Sequence, residues 1–404
     1  MKFKTTALCL CLMNLFWACG PTAELPEPPN PNPAPELANR TVLAYVLADN
    51  SLTSFSLTDL DEMLEGIKTV DTKQNNLIVY MDRRDGGTSQ LIRICRNSNG
   101  EIIKDTIQTY EASRNSVGIN EMEQVFTYTV DHFPAQGYGL VLWSHGDGWI
   151  PYSNTKTRWI GQDENKGTMD KRLNIDELHT VLKSIPRLDF LLFDACYMQS
   201  IEVAYELRDC ADYFIGSPTE IPGPGAPYQM VVPALFAVSA PETHTLSSSI
   251  ASAYFDYYKN KYTGAFPSDD NWVGGVSMSV IQSNKLDALA SATRELSIYS
   301  QPGINRMEIL CYDPLRERNY YDMDQVMKAT VGDTPAYQNW KRFYDAAVIY
   351  KETTLLNYNT YATGSGKMVS MDGFTGVSTY IWGSNSSYQS YYEKLLWYQD
   401  MQKK

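Results

Sequence analysis

Short runs of almost wholly apolar residues recur along this chain, each about as long as a strand and each ending abruptly in turn-forming or reactive residues. They lie at residues 41–48, 76–81, 138–143, 188–193 and 213–216. A strand covered on one face alternates apolar and polar residues, whereas a run that is apolar throughout has to be covered on both. Between the runs lie helical patterns. Residues 57–67 place Leu57, Leu60, Met63, Leu64 and Ile67 at helical spacing, and 119–133, 175–185 and 197–209 read the same way. Strands alternating with helices predict an α/β fold, a largely parallel sheet with helices on both faces. Residues 90–95 and 101–107 read as a hairpin around Asn97-Ser98-Asn99-Gly100. Residues 150–172 are polar and turn-rich and read as a long exposed loop. Beyond residue 230 the signal weakens: 247–259 and 285–299 read as helices, 272–281 and 375–382 as strands. The expected organisation is a core over residues 39–240 with a C-terminal α+β extension over 241–404.

The N-terminus has a different character. Lys2 and Lys4 precede an apolar run over residues 7–18, of signal-peptide length and too short for a membrane span. It ends Phe16-Trp17-Ala18-Cys19-Gly20, which resembles the lipobox of bacterial lipoproteins, with Phe16 departing from the favoured residue. Residues 1–18 are then a signal peptide, Cys19 carries lipid, and the protein is exported and anchored to a bacterial cell membrane, at the outer membrane or cell surface. An ordinary cleaved signal with a chance cysteine is the competing reading. Residues 19–38 hold Pro21, Pro26, Pro28, Pro29, Pro31, Pro33 and Pro35. Such a stretch builds no core and acts as a stiff, extended linker.

The formal charge is −13, and losing a segment that carries two lysines and no acid makes the exported chain more acidic. That excludes nucleic acid as a partner. It suits cationic partners, or serves solubility alone. Of the seven cysteines, Cys9 and Cys11 leave with the signal and Cys19 takes the lipid. Cys95, Cys196, Cys210 and Cys311 are scattered, with no CxxC pair and no metal-ligand spacing; one bridge among them stays open. No EF-hand spacing is present.

Two of the apolar runs end in chemistry. One leads into Ser144-His145-Gly146, the other into Asp194-Ala195-Cys196. In open α/β sheets the working residues sit beyond the carboxyl ends of strands. Cys196, between a strand end and the predicted helix, would gain thiolate character from the helix N-terminus and have backbone N–H groups pointing outward. Gly146 would let a substrate carbonyl come close to the backbone. A buried structural cysteine is the bland alternative. His132, His179 and His244 are assigned no ligand role.

Four stretches together resemble the clostripain family of cysteine peptidases, which share the caspase-like fold. They are Tyr45-Val-Leu-Ala-Asp-Asn-Ser-Leu52, Asp59-Leu-Asp-Glu-Met63, Pro134-Ala-Gln-Gly-Tyr138 running through Leu142-Trp-Ser-His-Gly-Asp-Gly-Trp149, and Phe193-Asp-Ala-Cys-Tyr-Met198 with Glu202-Val-Ala-Tyr-Glu-Leu207. Histidine precedes cysteine by 51 residues, an order and gap similar to the caspase pattern.

The resemblance implies a catalytic dyad of His145 and Cys196, with the N–H groups of Gly146 and Cys196 as oxyanion hole. It places Asp194 in the S1 pocket, favouring Arg or Lys at P1; the alternative is that Asp194 caps the following helix. Relatives of basic specificity carry a further acid after the fifth strand. Here that loop offers only Glu220, which either substitutes for it or leaves a pocket less strictly basic. Asp147 replaces a residue that is commonly small. Some relatives cut themselves between histidine and cysteine, and Lys156, Arg158, Lys166, Lys171 and Arg172 make 150–172 a candidate site; an ordinary surface insertion is the other reading. The implied substrates are proteins or peptides. The chemistry requires no cofactor, and calcium dependence among relatives suggests a calcium site that the sequence does not locate. The competing functions are the same dyad with non-basic P1 specificity and a catalytically silent surface-binding lipoprotein.

Overall fold

The apolar runs form the middle of a nine-stranded sheet in a computed structural model of the chain. The structure describes residues 37–403 except 153–156, 166, 169, 239–243, 301–302 and 362–363. The signal-like segment, Cys19, nearly all of the proline-rich stretch, Lys156 and Lys166 therefore lie outside the described residues. In chain order the strands are β1 (Ala38–Ala48), β2 (Asn75–Arg83), β3 (Gln90–Arg96), β4 (Ile102–Thr109), β5 (Ala135–Trp143), β6 (Gly146–Tyr152), β7 (Thr157–Asp163), β8 (Lys171–Leu173), β9 (Leu188–Asp194), β10 (Ala211–Gly216), β11 (Ser277–Gln282), β12 (Tyr321–Asp322), β13 (Val348–Thr353), β14 (Leu356–Thr360), β15 (Gly366–Ser370) and β16 (Ser378–Thr379). The large sheet runs β13-β11-β10-β9-β5-β1-β2-β3-β4. Its centre, from β2 through β1, β5 and β9 to β10, is parallel. The hairpin β3–β4 closes one edge antiparallel, and β11 and β13 close the other. Residues beyond 240 thus extend the same sheet.

Helices α1 (Thr53–Gly66), α2 (Ile119–His132), α3 (Ile175–Leu182), α4 (Ile201–Glu206), α5 (Tyr228–Leu235), α6 (Thr245–Lys261), α7 (Leu286–Glu295), α8 (Met323–Val331) and α9 (Pro335–Ala347) cover both faces. The pleat of β1 shows why. Val42, Ala44, Val46 and Ala48 enter one core with Leu60 and Met63 of α1, Val231 of α5 and Tyr254 of α6. Leu43, Tyr45 and Leu47 enter the other with Phe126 of α2, Leu178 of α3 and Val203 of α4. Successive side chains of a strand point to opposite faces, so an all-apolar strand has to feed two cores. Among the described residues no helix is long and apolar enough to cross a membrane.

Several expectations change. Residues 150–172 do not form a loop: β6, β7 and β8 make a three-stranded antiparallel sheet anchored by the buried Trp149, Trp159 and Ile160. The predicted helix over 197–209 shortens to α4, because the N–H groups of Tyr197 and Gln199 donate to the carbonyls of Thr219 and Ser217. The expected strands over 272–281 and 375–382 shrink to β11 and β16, and the expected helix over 285–299 to α7. Cys95, Cys196, Cys210 and Cys311 are all free, so the bridge left open by the sequence is not formed.

Burial of carboxylates gives the fold a pH dependence. Glu202 of α4 is fully buried and accepts from Thr379 Oγ1 and the Tyr380 N–H, tying α4 to β16. Burial pushes its carboxyl up to about 7, and Asp313 and Asp322, buried likewise, up to about 6. A carboxyl raised in the folded state binds its proton more tightly there than in the unfolded chain, so stability is greatest at acid pH and falls as pH climbs towards 7. The carboxylates held low by partners, such as Asp209 at about 2, act only below pH 4. Urea unfolding of a Cys196→Ala variant should therefore show stability declining from pH 5 to pH 7. Glu202→Gln should flatten that decline, by on the order of 3 kcal/mol at most. Stability rising across this window would contradict the assignment.

Candidate active site

Strands β5 and β9 are parallel neighbours with Trp143 opposite Asp194, so the residues after each leave the same edge side by side. The loop beyond β5 is pinned from beneath. Ser144 is buried; its Oγ donates to the Leu47 carbonyl at 3.1 Å and accepts from the Gln162 N–H at 3.1 Å. Asn50 is wholly buried; its amide donates to the carbonyls of Leu47 at 2.8 Å and Gln162 at 2.9 Å. These contacts tie together the ends of β1, β5 and β7 and fix the backbone that carries His145. The imidazole is half-buried, with Nε2 2.8 Å from Ser51 Oγ.

After β9 the chain turns through Ala195 to Tyr197, whose φ of 61° lies in the left-handed region. Cys196 stands on this turn and not on a helix N-terminus. Helix α4 starts five residues later, capped by Ser200 Oγ, which accepts from the Val203 N–H at 3.2 Å. The expected help from a helix dipole is therefore missing, and the helix-capping alternative for Asp194 falls as well. Burial, then Glu220, push the Cys196 thiol up to about 12; the Ile221 N–H, 3.5 Å from Sγ, and Arg316 oppose them. Burial, followed by Arg172 and Arg316, pulls His145 down to about 4. Both shifts favour the uncharged forms, a thiol at Cys196 and a neutral imidazole at His145. Gly146 has a reason other than the expected one: a Cβ there would lie 2.8 Å from the Cys196 carbonyl oxygen and 3.0 Å from Ala195 Cβ. It is the turn carrying Cys196 that comes close, and any side chain would push it away.

His145, Cys196 and Asp194 line one cavity of 410 Å³, with Trp143, Glu220 and Trp272 among its walls. Asp194 is buried. Its Oδ2 accepts from the Ala226 N–H at 2.9 Å and Tyr228 Oη at 2.8 Å, its Oδ1 from Tyr254 Oη at 2.9 Å. All three donors are neutral. Burial holds its carboxyl above the ordinary carboxylate range, and these donors offset part of that rise. Behind it, burial, then Asp194 and Glu62, push Asp59 up to about 9. Gly225 opens the approach: its φ is +72°, and a Cβ would sit 3.0 Å from Asp194 Oδ2 and 3.2 Å from Trp143 Nε1.

Glu220 lines the cavity but its carboxylate is spent inwards. It accepts from Tyr197 Oη at 2.8 Å, from Thr360 Oγ1 at 2.9 Å and from the Thr360 N–H at 3.1 Å, with Arg316 Nε 3.7 Å away. It is therefore not a free second acid for a substrate cation. Arg316 also faces Asp147, at 4.0 Å. Sequence reasoning missed Arg316, Trp272 and Tyr358, which reach the cavity from the C-terminal half and carry no strand-end signal. Of the basic residues in 150–172, Arg172 is held by both oxygens of Asp170 and lies over the Trp159 ring at 4.0 Å. Elsewhere, Asp49, Asp82 and Asp163 are buried, with carboxylate oxygens within 4.8 Å of one another. Asp163 accepts from Ser116 and the Asn165 N–H, and Asp49 and Asp82 have further partners.

Residues 44–404 match the clostripain family, peptidase family C11. A secreted C11 cysteine protease from Bacteroides thetaiotaomicron, solved in complex with an irreversible peptide inhibitor, is 51% identical, with a TM-score of 0.83, over 90% of this chain and 99% of that one. An inactive zymogen C11 protease from Parabacteroides distasonis is 30% identical, with a TM-score of 0.77, over 91% of this chain and 99% of its own. Clostripain from Hathewaya histolytica is 27% identical over 219 residues, 47% of this chain; the match spans 41% of that protein's length, less than half. The mostly parallel sheet with helices on both faces is the caspase-like fold expected from the resemblance. The chain belongs to the clostripain family of cysteine peptidases.

Proposed function

We propose that this protein is an exported endopeptidase that cuts peptide bonds after Arg or Lys through an acyl-enzyme on Cys196. The observation that carries this reading is the single cavity shared by His145, Cys196 and the buried Asp194. Family relationship adds weight, since a 51% identical relative was solved with an irreversible peptide inhibitor.

In this mechanism a substrate carbonyl meets Sγ, and the thiol proton passes to His145 as sulfur attacks. Coupling the two steps fits a pair whose resting state is thiol and neutral imidazole. The N–H groups of Gly146 and Cys196 take the developing oxyanion. His145 then protonates the leaving amine, and later draws a proton from the water that hydrolyses the thioester. A basic P1 side chain reaches Asp194, whose donors are all neutral, and supplies the positive charge that the floor of the cavity lacks. No metal enters this chemistry. Calcium, expected from the family, would find its best described set of hard oxygen ligands at Asp49, Asp82 and Asp163.

A second reading keeps the dyad and relaxes P1, because Glu220 is committed to Tyr197, Thr360 and Arg316 and adds no free acid. We also propose that Cys19 carries lipid and that residues 19–38 hold the enzyme off a membrane surface; the secreted relative supports export. Labelled fatty acid should enter the wild-type chain in cells and not a Cys19→Ser variant. Incorporation that survives this change would remove the anchor.

Fluorogenic peptides differing only at P1 test the main reading. Turnover should be confined to Arg and Lys, be absent in Cys196→Ala, and fall by about 100-fold or more for basic substrates in Asp194→Asn. Cysteine-dependent turnover with other P1 residues would favour the relaxed pocket, and none at all the binding lipoprotein. The raised thiol gives a further expectation: in the peptide-free protein, iodoacetamide should alkylate Cys196 faster at each step from pH 7 to pH 10. A rate already level near pH 5 would show a resting thiolate–imidazolium pair and overturn the neutral one.

A further inference from the structure

We infer that Ser51 is a positioning residue for His145: its hydroxyl holds Nε2, so that Nδ1 is the ring nitrogen presented to Cys196. This rests on the proposed dyad.

The placement of Ser51 follows from the sheet. Strands β1 and β5 are parallel neighbours with Val46 opposite Trp143, so the turn after β1 and the turn after β5 emerge together. The turn after β1 is rigid. Asn50 is wholly buried, its amide bound to Leu47 and Gln162 and its Oδ1 accepting from the Leu52 N–H at 2.9 Å. The Thr53 N–H donates to the Asn50 carbonyl, and α1 begins at Thr53. Ser51 is thus clamped between a buried asparagine and a helix start. Its exposed side chain places Oγ 2.8 Å from His145 Nε2.

An imidazole has two ring nitrogens on opposite sides of the ring, and the neutral form carries one proton. When Ser51 Oγ accepts Nε2–H, the lone pair of Nδ1 is left to receive the proton from Cys196 Sγ. The imidazolium formed then donates from both nitrogens, and Ser51 accepts one of the two bonds. A hydroxyl in this place fixes both the ring plane and the tautomer, the same service an outer partner gives to metal-binding histidines. It does so from outside the bond-making groups. Water can partly replace an exposed hydroxyl, so the expected effect is smaller than loss of the dyad.

The test uses the mature chain as wild type, Ser51→Ala and Ser51→Thr, with Cys196→Ala as control. Ser51→Ala should lower kcat by about 10- to 100-fold while leaving KM within about two-fold, and Ser51→Thr should restore most of the rate. With 15N in the imidazoles of the four histidines, wild-type His145 should show the Nε2-protonated tautomer, and Ser51→Ala a mixture. Unchanged kcat and an unchanged tautomer in Ser51→Ala, with Cys196→Ala inactive, would overturn the role of Ser51 and leave the dyad standing. Turnover surviving in Cys196→Ala would overturn the dyad, and with it the role of Ser51.

Discussion

The parallel register of β1, β5 and β9 is the constraint on which the site depends. Val46 stands opposite Trp143, and Trp143 opposite Asp194. A slip of one residue in any of these pairs would send every side chain of a strand to the wrong face. Here both faces are buried, so a slip would carry the large side chains Leu43, Tyr45 and Leu47 into the core built for Val42, Ala44 and Val46. Register is therefore set by shape as much as by hydrogen bonds. Once it is set, the turns carrying Ser51, His145 and Cys196 leave one sheet edge together, and the contacts of Asn50, Ser144 and Gln162 only have to trim them into place.

The central strands were legible because each is apolar throughout, a pattern that few structures other than a doubly covered strand can satisfy. His145 and Cys196 were legible because each directly follows such a strand. The helix over 197–209 was not. Its residues have helical spacing, but the backbone of the first three bonds across to the Ser217–Thr219 segment, a tertiary preference that no local pattern reveals. The sheet β6–β8 was hidden by its polarity: it holds its place with a few large residues, Trp149 and Trp159 above all, rather than with a periodic face. Arg316, Trp272 and Tyr358 reach the cavity from loops and a short strand distant in sequence, so only the fold brings them to it. The wall that commits Glu220 was invisible for the same reason, since Thr360 lies 140 residues away.

The cavity is electrostatically two-sided. On one wall Glu220 lies 3.7 Å from Arg316, which also has Asp147 at 4.0 Å, so these charges offset one another. Elsewhere in the lining Asp194 has hydroxyl and amide donors in place of a cation, with the carboxyls of Asp59 and Glu62 close by. Neutral donors solvate a buried carboxylate without cancelling its charge. Asp194 therefore lines the cavity with no cation among its hydrogen-bond partners.

The sheet order has a consequence for integrity. The segment between His145 and Cys196 leaves the large sheet, forms its own three strands and returns as the strand next to β5. A backbone break in the β6–β7 connection would divide the polypeptide into an N-terminal piece carrying the histidine strand β5 and ending with β6, and a C-terminal piece carrying the cysteine strand β9. Those two strands are hydrogen-bonded neighbours in the middle of a nine-stranded sheet, with one core on either face. The pieces could part only by unfolding. Two-chain and one-chain forms of this molecule would be the same particle in solution, distinguishable only under denaturing conditions.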